Sequence, residues 1–237
     1  MIFGIRESRL IHLAQSAPSH LKETFVTPVK RRARKYLFGD PKGERRRLGG
    51  TVKDYSMFEH ALKVAASSAK QDLGTVSNLS RRDFDERDTF RFRAQVPCLE
   101  YISLLIENAV LLRTNRAGRV YAGFEKLSRM EAVVDRYLRM ADVSERVYIF
   151  GEADWKPPRH PNMRPIPVAG GSRLSHEWFI IVNSPTQLVA LVALDRDGFD
   201  APVLEARWFD AIKTNDPKII EPLVQSAENL VDQSLAA

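Results

Sequence analysis

The side chains able to do chemistry are few and scattered. Five histidines, His12, His20, His60, His160 and His176, lie apart from one another and from the one cysteine, Cys98. None has a His or Cys partner at ligand spacing, so neither a metal centre nor a cofactor is expected. Cys98 follows Pro97 at the start of an apolar run. A helix N-terminus there could lower the thiol pKa; a small buried cysteine explains the same placement. The chain holds no Gly-x-Ser-x-Gly, no phosphate loop and no dinucleotide fingerprint. Gly170-Gly171-Ser172-Arg173 offers backbone N–H groups and a cation to an anion. A non-enzyme is therefore expected, with an enzyme using a pocket in 151–177 as an alternative.

The clearest interaction signal is charge. Residues 1–50 carry 12 Lys/Arg against 4 Asp/Glu, a net +8 in a chain of net +6, so the basicity belongs to this segment. It gathers in two clusters, Lys30, Arg31, Arg32, Arg34 and Lys35, then Arg45, Arg46 and Arg47. Such clusters contact phosphates by releasing counterions. They equally meet anionic lipid, at about 1 kcal/mol per residue near the surface. Tyr36, Leu37 and Phe38 beside the first cluster favour an interfacial or protein contact over DNA. A solvated basic tail is the plain alternative. Residues 30–47 are expected to meet a protein partner, an anionic membrane surface or nucleic acid. A nucleic-acid-binding regulator is thus a second reading.

The elements that must position these groups follow from apolar periodicity. A chain of 237 residues, 44% hydrophobic and 28% charged, can bury a core without staples. A single cysteine allows no internal disulfide and fits a reducing cytoplasm. There is no run of about 18 apolar residues, and the first 20 residues make a poor secretory signal. A cytoplasmic protein is expected, or one held peripherally at a membrane surface. Residues 1–50 read as a basic arm, partly extended. Residues 51–95 read as a helix at 54–73, opened by Asp54 or Ser56, and a charged connector with a short strand at Phe90 and Phe92.

Residues 96–237 read as the main domain. Helix 98–113 buries Leu99, Ile102, Leu105, Ile106, Ala109 and Leu112. Strand Arg119–Phe124, helix 126–141 and strand Val147–Phe150 make a βαβ unit with parallel strands. The helix carries a capping-box pattern in Ser128 and Glu131. A proline-rich loop, 151–175, holds an edge strand at 164–168. Glu177–Asn183 and Leu188–Leu194 form a hairpin whose near-continuous apolar runs suit central strands. Leu204–Phe209 is read as a last strand, and 216–235 as a closing helix opened by Asp216-Pro217. The fold class is α/β, a mixed α+β arrangement: a mixed sheet with one βαβ unit and an antiparallel hairpin, flanked by helices.

Across these elements runs an ordered set of short motifs: Ile106-Glu107-Asn108, Val120-Tyr121 with Phe124, Arg136-Tyr137, Val147-Tyr148, Phe150-Gly151 with Asp154, Glu177-Trp178, and Ala190–Leu194 with Asp195. Over roughly 96–230 the chain resembles the DICT sensory domains of bacterial signalling proteins, which occur beside diguanylate cyclases and two-component components. It departs from their pattern in Asn108, where an acid is usual, and in the proline-rich loop. The resemblance implies a sensory or adaptor role without an established catalytic residue. It singles out Glu107, Arg136, Tyr137, Phe150, Asp154, His176, Glu177 and Trp178. Glu107 and Arg136 on neighbouring helices suit an ion pair that fixes their docking. The other reading is a ligand pocket at the C-terminal ends of the parallel strands, with Phe150, Gly151 and Asp154 beside it.

Overall fold

The computed structural model describes residues 55–68, 70–112 and 117–236. The expected basic arm, with Lys30–Lys35 and Arg45–Arg47, lies outside the described residues. The chain folds as a mixed eight-stranded sheet with helices on both faces. Its strands are β1 (Gln71–Thr75), β2 (Thr89–Gln95), β3 (Arg119–Lys126), β4 (Arg146–Glu152), β5 (Met163–Val168), β6 (Glu177–Ser184), β7 (Gln187–Asp195) and β8 (Trp208–Thr214). The spatial order is β1-β2-β8-β7-β6-β3-β4-β5.

The expected βαβ unit is present. β3 and β4 pair in parallel, joined by a 3-10 segment, Leu127–Val133, and helix α4 (Val134–Asp142). The expected hairpin is β6 and β7, paired from Glu177↔Leu194 to Ser184↔Gln187. Both strands lie inside the sheet, which explains their apolar runs. Alternate residues feed two cores. Ile180, Val182, Leu191 and Ala193 join one face, and Phe179, Ile181, Ala190 and Val192 the other.

Helix α3 (Val96–Leu111) covers the first face together with α4. Its buried stripe is Leu99, Ile102, Ser103, Ile106, Glu107 and Val110, a regular i, i+3, i+4, i+7 pattern. The predicted stripe was wider: Leu105 is half-buried, Ala109 exposed and Leu112 83% exposed. Two polar residues, Ser103 and Glu107, take the inward places instead.

The second face is covered by α1 (Met57–Val64) and α5 (Pro217–Ala236), which pack on each other and on the central strands. Asp216 opens α5 as expected, its Oδ1 accepting from the Lys218 N–H at 2.9 Å. Ser56, one of two predicted caps, opens α1 by accepting from the Glu59 N–H at 3.0 Å.

Three expectations need correction. The helix predicted over 54–73 stops by Ser67, and 71–75 is β1; segment 71–95 is no loose connector but supplies β1, α2 (Arg81–Glu86) and β2 to the sheet. The helix predicted over 126–141 starts as a 3-10 segment and becomes α-helical only at Val134. No side chain within it caps its start. The last strand lies at 208–214 rather than 204–209. Its end, Lys213-Thr214, is polar but buried. Lys213 Nζ donates to the Phe84 and Arg87 carbonyls at 2.9 and 2.8 Å, so a charged residue sits inside the sheet at a helix C-terminus.

Candidate functional site

A cavity of about 900 Å³ opens on the first face, between α3 and the 127–137 stretch. β3 and β6 form its floor with Phe124 and Trp178. α3 gives Tyr101, Leu104 and Glu107; the facing stretch gives Arg129, Arg136 and Tyr137. Gly123 in the floor admits the Phe179 ring, which a Cβ there would meet at 2.3 Å.

Four of the predicted site residues meet here: Glu107, Arg136, Tyr137 and Trp178. Glu107 Oε1 accepts from the Tyr137 hydroxyl at 3.0 Å, and its Oε2 lies 3.5 Å from the Arg136 guanidinium. The expected ion pair thus forms part of the cavity wall, whereas Phe150, Gly151 and Asp154, expected beside a ligand pocket, do not line it. Trp178 Nε1 donates to Ser103 Oγ at 3.1 Å, fixing the indole. Phe124 meets Tyr137 edge-to-face at 5.1 Å between centroids. The result is a chamber in which aromatic rings stand beside converging polar and charged groups, a mixture that small-molecule sites use for shape and orientation.

The other predicted residues are elsewhere. Phe150 packs in the core of the opposite face, against Phe179. Glu177 also points to that face: its carboxylate accepts from the Ser56 hydroxyl, from Met57 N–H at 2.8 Å and from Phe58 N–H at 3.3 Å. It caps α1. Asp154 sits at the rim and accepts from Ser128 N–H and Oγ at 2.9 and 2.5 Å. That explains why the Ser128-Glu131 capping box does not form: the serine is held by a carboxylate from the next loop. No residue of 151–176 lines the cavity, and His176 is exposed. The Gly170–Arg173 loop faces carboxylates of its own chain, Gly171 N–H donating to Glu152 and Arg173 to Glu59. Cys98 is buried, and burial pushes its thiol up rather than activating it. Among the described residues no group of three His, Cys, Asp or Glu is placed to hold a metal, and no helix is long and apolar enough to cross a membrane.

Sequence reasoning missed Tyr101, Ser103, Leu104 and Arg129. The spacing of Ser103 from Glu107 put both on one helix face, a signal available in the sequence.

Burial pushes the Glu107 carboxyl up to about 7, against the pull of Tyr137 and Arg136. An acid whose folded pKa exceeds its ordinary value of 4.5 is protonated first in the folded state. Its contribution is full below about 4.5 and is lost as pH rises through about 7. Glu125 and Glu177 are raised in the same sense. The melting temperature should therefore fall between about pH 5 and pH 8, and Glu107→Gln should fall less than the native chain. Parallel melting curves for the two would contradict the assignment.

Residues 98–196, fewer than half of the chain, match the family model of DICT, the sensory domain in diguanylate cyclases and two-component system. The match ends after β7; β8 and α5, inside the expected 96–230 extent, lie beyond it. No curated protein matches the chain. A solved structure, polyphosphate kinase from Porphyromonas gingivalis, aligns with 18% identity and a TM-score of 0.39, over 60% of this chain and 23% of the kinase. The chain thus spans under a quarter of that kinase, and a score at this level defines no shared fold.

Proposed function

We propose that this is a signalling module that senses a small molecule in the α3–α4 cavity and passes the bound state to a protein partner. One observation carries the reading. Inside the DICT segment, a cavity of about 900 Å³ brings together Glu107, Arg136, Tyr137 and Trp178, a size suited to a ligand of metabolite or drug scale. The localised +8 of residues 1–50 supports a docking role for that segment, toward an anionic surface or an acidic protein.

The test is a thermal-shift screen of the full chain with a metabolite library. A ligand at about 100 times its Kd adds about 2.7 kcal/mol of stability, which raises Tm by roughly 5–11 °C for a chain of this size. Leu104→Trp, which fills the cavity from α3, should erase the shift. A library that never moves the native Tm, or a hit that still binds the filled variant, would sink the proposal.

A further inference from the structure

Glu107 and Arg136 present an acceptor beside a donor, and this order says what kind of molecule the cavity reads. The inference rests on the cavity being the ligand site. Glu107 is 7% exposed. A carboxylate has about four acceptor positions, yet this one receives a single hydrogen bond, from Tyr137 at 3.0 Å. Its Oε2 has only Arg136 for company, at 3.5 Å, beyond good hydrogen-bond length. Arg136 is equally underused, reaching Asn108 Oδ1 at 3.4 Å. Oε2 therefore keeps acceptor capacity that a group entering the cavity can use. Both groups line the cavity, among the rings of Tyr101, Phe124, Tyr137 and Trp178.

We infer that the cavity takes a planar heteroaromatic ring through a cyclic-amide edge, the ring N–H donating to Glu107 Oε2 and the adjacent ring carbonyl accepting from Arg136. Other classes fit less well. An aliphatic amine satisfies Glu107 but meets the Arg136 charge and leaves the aromatic walls unused. A simple anion satisfies Arg136 but faces Glu107, with Glu100 and Glu131 also on the lining. Oxopurines and pyrimidinediones carry the required edge and offer flat faces to the rings.

The experiment is calorimetric titration of the full chain with two nucleoside pairs, inosine against adenosine and uridine against cytidine. Within each pair the ring is nearly the same and the edge is reversed: the keto member offers N–H and C=O, the amino member a bare ring nitrogen and an amino group. The expected result is that at least one keto member binds about tenfold more tightly than its partner, the size of one well-formed pair of edge contacts. In Glu107→Gln, Tyr137 keeps the amide oxygen and the NH2 turns to the cavity. The acceptor becomes a donor, so the preference should shrink or turn toward the amino member. Equal affinities within both pairs overturn the edge reading and leave the cavity as a ligand site. The same follows if no nucleoside binds while library compounds still stabilise the native chain and not Leu104→Trp. If nothing binds at all, both this inference and the proposed function fall.

Discussion

Replacing Arg207 by methionine should lower the unfolding free energy by about 3–5 kcal/mol, read by urea denaturation of the full chain. Arg207 is wholly buried, as are Glu125 and, very nearly, Asp195. The guanidinium donates to Glu125 through both terminal nitrogens, at 3.0 and 3.1 Å, and also to Asp195. Phe199 and Phe209 lie over it at 4.6 and 5.2 Å. Removing the cation strands two acids in the core; Glu125 keeps Arg129 at 3.8 Å, and Asp195 keeps the Asp197 and Gly198 N–H groups at 3.0 Å. Losses of this size are a large share of a typical domain's stability.

The pH dependence of that loss has a definite sign. Burial already pushes Glu125 up to about 7, with Arg207 pulling it down. Without Arg207 the carboxyl rises further, and the folded state takes up a proton that the unfolded state does not hold. Protonation relieves the stranded charge, so the loss should be smaller at about pH 5 than at pH 8. An equal loss at both would mean that the guanidinium acts by packing between the two rings and not by charge. Glu125 itself sits at φ 62, in the left-handed region that costs a non-glycine residue about 1 kcal/mol or more. It lies where the β3–β4 register shifts between Gly123 and Lys126, and this irregularity lets its carboxylate meet Arg207.

The second large effect is expected at Glu177. Its carboxylate is the shared acceptor for the Ser56 hydroxyl and the first two N–H groups of α1. Glu177→Ala leaves the Met57 and Phe58 amides without that acceptor, at about 1–3 kcal/mol for each buried donor. α1 also loses its attachment to β6, and with it the burial of Met57, Phe58 and Ala61, each at most 2% exposed. Hydrogen exchange at the Met57 and Phe58 amides should accelerate by one to two orders of magnitude or roughly more, with core β6 and β7 amides changed far less. Glu177→Gln keeps one acceptor and should fall between. If the α1 amides exchange no faster in Glu177→Ala, the capping role is wrong.

How far the sequence carried these results depends on what each element buries. β6 and β7 were legible because both faces are covered and their side chains are almost all apolar. α5 was legible because Asp216-Pro217 is a strong start. β1 (Gln-Asp-Leu-Gly-Thr) is largely exposed and has no alternation to read. β8 was displaced in the sequence reading because Lys213 and Thr214 look like solvent-facing residues. Their burial depends on carbonyls of a distant helix and on Thr89, whose Oγ1 lies 2.8 Å from that of Thr214. The candidate site shows the same division. Glu107 with Tyr137 and Arg136 could be paired from helix spacing. Glu177 and Trp178 stand together in the motif, yet neighbours in a strand point to opposite faces. One therefore serves the cavity and the other α1. The Arg207 triad was not legible: its acids lie 82 and 12 residues away, and no local pattern links them.

The order of the strands has a consequence for how this protein behaves among its neighbours. β5 forms one border of the sheet and reads Met-Arg-Pro-Ile-Pro-Val. Pro165 and Pro167 bring no N–H to that border, so a further strand would find alternate donors missing. The sheet is sealed there by its own composition. Crowded neighbouring chains are thereby denied a continuous row of donors along this border, the usual start of edge-to-edge aggregation.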